Sequence, residues 1–303
     1  TEIYTLSLHD ALPICALAAL GAAAMWTVNS VIMERRGIGL DSRGLNAGRI
    51  FLGLLLITLV HLLRGHGLFP QAVGADAWLW LLLSGVIGFA AGDSLLVSGF
   101  LSIGARLTLL VFSFSPVLTA ILSYLLFGET LGLFKIIGML LVIGGIMLVI
   151  GGKGEKAQSA DMARGLLFAF LAALAQAASN ITSKMGLSQV DAIGATQIRL
   201  MGGVIGIVVV LVMGGAWDKL RAVLRSPNGR LTILSGACIG TLLGVVLSMT
   251  ALQLTKAAIA STLMTTMPVL ILPISRFILK EQLHAKDILG AAICVAGSAI
   301  LFL

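Results

Sequence analysis

Charge is what this chain has least of. Asp, Glu, Lys and Arg together make up 11% of its 303 residues, against 58% hydrophobic residues. A water-soluble domain carries about 25% charged residues, so there is too little charge here to cover a surface facing water. Cysteine is scarce too: Cys15, Cys238 and Cys294 lie apart in apolar segments, with no CxxC and no Cys/His cluster. That excludes a disulfide framework and a zinc site. His61, His66 and His284 show no metal-ligand spacing, and there is no GxSxG, Walker loop or GxGxxG fingerprint. No metal, no cofactor and no enzymatic activity is expected, and without an ATP site any work must draw on a gradient. Aromatics are only 6% of the chain, which favours a small polar ligand over a bulky cationic one held in an aromatic cage. The net charge of +7 comes with no aromatic-interleaved basic patch. It reads as loop charge that orients a membrane protein, not as a nucleic-acid footprint.

What the chain has in abundance is apolar stretches of bilayer-crossing length. Ten are expected, near 15–33, 47–63, 78–99, 104–126, 133–150, 164–184, 194–213, 231–252, 257–279 and 287–303. This is an all-α, polytopic membrane protein. The connections hold the charge and turn signals: ERRGIGLDSRG, RGHGLFPQ, GGKGEKAQSAD and WDKLRAVLRSPNGR. Short links such as LSIGA force neighbouring helices to be antiparallel.

The opening TEIYTLSLHDALPI does not fit this pattern. It has no Lys or Arg, which argues against a secretory signal and a surface helix. It can be read codon by codon as translated sequencing-adapter DNA, so residues 1–14 are treated as a non-native segment and set aside.

The remainder repeats itself. SGVIGFAAG resembles SGACIGTLLG, aligning Gly88 and Gly92 with Gly240 and Gly244. SFSPVLTAILSYLLFGETLGLFKIIGMLLVIGGIML aligns with TTMPVLILPISRFILKEQLHAKDILGAAICVAGSAIL at one constant offset. Pro116 then meets Pro268, Glu129 meets Glu281, Gly138 meets Gly290 and Gly145 meets Gly297. MWTVNSV against QAASNIT sets Asn29 opposite Asn180. The expected organisation is a first five-helix repeat over 15–150, a linker over 151–163 and a second repeat over 164–303. Five crossings is an odd number, so the second copy begins on the other side and the repeats are inverted. That is the architecture of secondary transporters, with a site near the midplane opened alternately from each side.

In each half, a proline within a helical span is followed by a lone Glu and a two-glycine helix. This duplicated pattern resembles the EamA repeats of the drug/metabolite transporter superfamily, over essentially all of 15–303. The resemblance implies a ten-helix bundle around a central cavity in a bacterial inner membrane. It also implies a permease, often an exporter of amino acids or other small metabolites, with a lipid bilayer and a small-molecule substrate as its partners. Whether it pairs as a homodimer is left open. The rival readings are a membrane enzyme acting on a lipid-linked substrate, and a non-transporting scaffold.

Asp93, in AAGDSLLVSG, is an acid deep inside an expected span. Such an acid costs about 2.5–3.5 kcal/mol on insertion scales and marks a candidate proton, cation or substrate ligand. Its structural reading is an ion pair with Arg106 across the LSIGA turn, pinning a hairpin. The second half has Val245 and Ala258 at those positions. Asn29 and Asn180, among Trp26, Thr27, Ser30, Ser179 and Thr182, are expected to face a cavity from opposite leaflets; interhelical hydrogen bonding is the structural reading. Pro116 and Pro268 within their helices suggest hinges or cavity walls. The GxxxG pairs Gly88/Gly92 and Gly240/Gly244 read as close packing faces. Glu129 and Glu281 read as acids complementing helix N-termini, and Lys256, beside Gln253, as an interfacial cation. The Lys and Arg balance puts the loops after spans 1, 5, 7 and 9 inside and both termini outside. Resemblance to ten-helix transporters implies the opposite, so orientation stays open.

Overall fold

The computed structural model describes residues 8–65, 67–70, 73–127, 132–151, 160–187, 190–254, 263–280 and 282–300. Among these the secondary structure is helical throughout. Six helical stretches are long and apolar enough to cross a membrane: Ile14–Arg36, Ser42–Leu63, Ala75–Phe112, Ala160–Gly186, Ala192–Met213 and Pro227–Ala251. Shorter apolar helices cover Ser115–Leu126, Leu133–Val149 and Met267–Phe277.

In chain order, α1 is Leu8–Arg36 and α2 is Ser42–Leu63. Then α3 (Ala75–Gly85) runs through a π-helical stretch, Val86–Gly92, into α4 (Asp93–Phe112). α5 (Ser115–Phe127), α6 (Leu133–Gly151), α7 (Ala160–Gly186) and α8 (Ala192–Met213) follow. After α9 (Trp217–Arg225), α10 (Pro227–Ser235) passes through a second π-helical stretch, Gly236–Val245, into α11 (Val246–Leu254). α12 (Met267–Phe277) and α13 (Ala285–Ile300) complete the chain. The expected ninth span lies partly outside the described residues; every other expected span carries a helix. α1 begins at Leu8, so the helix extends back into the segment set aside above.

The turn expected at LSIGA is real. Gly104 adopts φ 81° and ψ 161°, a region that only glycine enters without strain. A Cβ built on Gly99 would lie 2.8 Å from the Thr108 side chain, whereas nine residues of straight helix would separate them by about 13 Å. The chain therefore doubles back here. The Glu34 carboxylate, from α1, accepts a hydrogen bond from the Ala105 amide (2.8 Å). It caps the positive end of the returning limb.

Two further breaks correct the expected placement of the prolines. Pro116 and Pro268 are not in mid-helix: a turn at Ser113–Phe114 precedes α5, and one at Thr265–Thr266 precedes α12. Each proline is the second residue of the helix that restarts, where its missing N–H costs nothing. The loop WDKLRAVLRSPNGR also contains a helix that was not expected, α9, which buries Leu220 and Val223 on one face.

The glycine pairs of α6 and α13 pack against each other. A Cβ on Gly145 would meet the Gly290 carbonyl oxygen at 2.6 Å, and one on Gly297 would meet that of Gly138 at 2.8 Å. Residue 138 thus lies beside 297 and 145 beside 290, an antiparallel crossing in which repeat-related helices present the same surface to each other. α2 and α8 form a second such seam. Gln197 reaches Thr58 (3.0 Å), Gly203 packs near Ile50, and Ala47 clusters with Ile207 and Leu211. The outward surface is studded with exposed Leu17, Leu55, Leu63, Leu79, Leu140 and Met147, the inverse of a soluble protein. The fold is a polytopic, all-α membrane fold.

Candidate functional site

Polar groups inside the bundle gather on the two π-helical stretches. Arg49 is the eighth residue of α2 and forms an ion pair with Asp93, where the first π-helical stretch ends. Its Nη2 also donates to Asn46 Oδ1 (2.8 Å). Asn46 is fully buried, and its Nδ2 donates to the Phe89 carbonyl (2.8 Å) and to Ser94 Oγ (2.9 Å). Ser94, Ser98 and Ser102 then form a stripe down α4, each hydroxyl donating to the carbonyl four residues back. Ser98 Oγ also lies 2.8 Å from Ser42 Oγ at the head of α2.

The expected Asp93–Arg106 pair does not form. Asp93 belongs to Arg49, and Arg106 Nη1 lies 2.7 Å from Asp287 Oδ2 at the start of α13. Asp93 sits about eleven residues before the turn at Gly104, roughly 16 Å of helix, while Arg106 lies just beyond it. No arginine side chain spans that offset. Asp287 also accepts a hydrogen bond from the His284 amide (2.9 Å), so it caps α13 while holding Arg106.

The second half offers an arginine in the equivalent place. Arg199 is the eighth residue of α8, as Arg49 is of α2. It lies against the other end of the first π-helical stretch. Nε donates to Ser84 Oγ (3.0 Å), Nη2 to Ser179 Oγ (3.2 Å), and the guanidinium stacks 5.0 Å from the Phe89 ring centroid. Ser84 is bonded in turn to Ser179 (3.0 Å) and Ser183 (2.6 Å). Among the described residues no carboxylate forms an ion pair with Arg199. Given the antiparallel register of α2 and α8, the two arginines stand about 9 Å apart along the helix axes, on opposite sides of the middle of the seam.

The second π-helical stretch receives Trp26 and Asn29 from α1. Trp26 Nε1 donates to the Gly240 carbonyl (3.0 Å). A Cβ on Gly240 would lie 2.8 Å from Asn29 Nδ2, and one on Gly244 would lie 2.5 Å from Trp26 Nε1. Asn29 is buried, and its Oδ1 has no hydrogen-bond partner among the described residues. In the first half, Gly88 packs against Ser179 and Gly92 against Ala175, the close approach expected of both GxxxG pairs. Mid-helix π segments recur at functional sites, and here both halves carry one.

Trp26, Asn29 and Asp93 therefore lie on the internal polar features, and Arg106 holds a different contact. Asn180 is exposed on α7 and accepts from Gln176 Nε2 (2.7 Å); its neighbour Ser179 is the buried polar residue. Glu129, Glu281 and Lys256, and the side chain of Gln253, lie outside the described residues. Arg49 and Arg199 are functional candidates that the sequence reading passed over, although a lone arginine within an apolar span, in NAGRIF and TQIRLM, is a readable signal. A concavity of about 550 Å³ opens among Arg276, Gln282, Leu283, His284 and Ile288, a peripheral feature lined by neither arginine. Among the described residues there is no cluster of three or more His, Cys, Asp or Glu side chains able to hold a metal ion.

Comparison with known proteins agrees with this geometry. The EamA-like transporter family matches residues 13–151 and again residues 163–303. The uncharacterized transporter YvbV of Bacillus subtilis is 28% identical over 196 residues, 64% of this chain and 60% of that protein. An uncharacterized transporter of Archaeoglobus fulgidus is 25% identical over 288 residues, 95% of this chain and 97% of its own length. A solved crystal structure superposes with a TM-score of 0.65 at 15% identity, covering 94% of this chain and 95% of that one; it shares the fold. With both halves matched and the helical arrangement shared, the chain belongs to the EamA-like transporter family.

Proposed function

We propose that this chain is a secondary active transporter that exports small metabolites such as amino acids from a bacterial cell. Its two five-helix halves, 15–150 and 164–303, rock about the α2–α8 and α6–α13 seams. The observation that carries this reading is the pairing of internal features. Each half places an arginine eight residues into its second helix, a π-helical stretch in its third and a proline restart in its fourth. Duplicated interruptions at equivalent depths are what two mirrored gates require, and a scaffold has no use for them. In this reading Asp93, Asn29 and Asn180 border the path, Trp26 braces the second π-helical stretch, and Pro116 and Pro268 mark where the halves flex. The Ser94–Ser98–Ser102 stripe lines the approach from the α2 end. The working unit is a monomer or a homodimer in the inner membrane, driven by an ion or solute gradient.

The test is the extracellular metabolite profile of cells overexpressing the chain, against cells expressing Asp93→Asn at equal membrane abundance. The expected result is a small set of solutes enriched outside with the parent and reduced with the variant. A medium unchanged by either protein would remove the export reading and bring forward the lipid-substrate enzyme.

A further inference from the structure

Among the described residues, Arg49, Asp93 and Arg199 leave one positive charge inside the bundle without a paired carboxylate. Arg49 has its carboxylate. Arg199 is only 6% exposed, yet among the described residues its side-chain acceptors are the neutral hydroxyls of Ser84 and Ser179. Hydroxyls satisfy N–H groups but cancel no charge, and a buried charge is tolerated only when paired. A merely structural clamp on Ser84 and Ser179 would work with a neutral amide in place of the guanidinium.

The surroundings hold the guanidinium ready for something else. The Phe89 ring covers one face, and the Ser84–Ser179–Ser183 hydroxyls fix the Nε edge. Gly88 lets Ser179 and the guanidinium pack closely against the first π-helical stretch, since a Cβ there would lie 2.4 Å from Ser179 Oγ and 3.8 Å from Nη2. A guanidinium carries five donors in a planar fork, and two hydroxyl contacts leave most of that fork free for a bidentate acceptor. Asp93 is already committed to Arg49.

We infer that Arg199, with Ser84 and Ser179, is the anion-coordinating site of this transporter, and that the cargo carries a carboxylate. This rests on the transport reading above and narrows it. The carboxylate could belong to a zwitterionic amino acid or to an organic acid lacking an amino group; both place the same anion on the fork.

The test uses the full chain in proteoliposomes loaded with four matched sets of solutes: α-amino acids, their carboxamides, 2-hydroxy acids of the same carbon skeletons, and neutral polyols. Efflux is read by mass spectrometry for the parent, Arg199→Gln and Arg199→Lys. Solutes that leave through the parent are expected to carry a carboxylate, with each carboxamide at least tenfold slower than its acid. Arg199→Gln should slow the acids at least tenfold, and Arg199→Lys should fall between. Release of amino acids but not hydroxy acids, or the reverse, assigns the source of the carboxylate, and both outcomes support the site. If the carboxamide leaves as fast as the acid, or Arg199→Gln matches the parent, the anion site is overturned while transport stands. If nothing leaves beyond protein-free vesicles, both readings fall. Should Arg199→Gln fail to fold, the acid-against-carboxamide comparison on the parent decides alone.

Discussion

Replacing Asp93 by Asn leaves Arg49 buried without its counter-charge. The two side chains are 18% and 9% exposed, so water does little to make up the loss. Removing one partner of a buried pair costs about 3–5 kcal/mol. The introduced amide oxygen can still accept a hydrogen bond, and Asn46 still holds the same guanidinium nitrogen, which places the expected loss near the lower bound, about 3 kcal/mol. Arg49→Gln strands Asp93 and should cost a similar amount. The double variant removes both charges together and should lose only about 1 kcal/mol, so the cycle should show a coupling of about 5 kcal/mol, the two single losses less the double. Reversible unfolding by SDS in mixed micelles, followed by tryptophan fluorescence, supplies the four stabilities. Losses that add to within about 0.5 kcal/mol would refute the pair as an internal ion pair.

Three other outcomes follow from the packing and the caps. Gly145→Val drives a side chain into the Gly290 carbonyl and the Cys294 amide and should lower the melting temperature, at a cost of about 1–3 kcal/mol. Its neighbour Gly144 has open space around it, so Gly144→Ala should be neutral or stabilising by up to about 1 kcal/mol; equal effects at the two positions would refute the α6–α13 contact. Gly104→Ala forces φ 81° on a residue with a Cβ and should cost about 1–3 kcal/mol in the same melt, and an unchanged melt would contradict the turn. Asp41 caps α2 outside the spanning segment; burial pushes its pKa up, but the Lys219 ammonium and the Arg43 and Gly44 amides outweigh it and hold the carboxyl below its usual range. Its contribution to stability is therefore present above the ordinary carboxylate pKa and is lost as pH falls through the depressed value. Asp41→Asn should flatten that acid limb of the melting-temperature profile, and an unaltered limb would count against the cap.

The spans were legible because apolar length is a direct demand of the bilayer, and the repeat because Pro116/Pro268 and Gly138/Gly290 recur at one offset. The turn at Gly104 was readable from a short link between two long apolar runs. What stayed hidden is what depends on distant partners. Asp93 and Arg106 are near in sequence and invite pairing, yet their true partners, Arg49 and Asp287, come from other helices. Arg49 and Arg199 were passed over because apolar averages absorb a single charge, and their equivalence shows only when α2 and α8 are laid side by side. The π-helical stretches leave no composition signal beyond glycines, and α9 was masked by the turn residues that follow it.

Whether this chain moves small solutes across a membrane is decided by efflux from proteoliposomes loaded with a whole-cell metabolite extract. Selective depletion of a few small solutes from the lumen, absent with protein-free vesicles and reduced with Asp93→Asn, is the expected result. Retention of every solute at the protein-free rate, with the protein folded and inserted, would contradict transport.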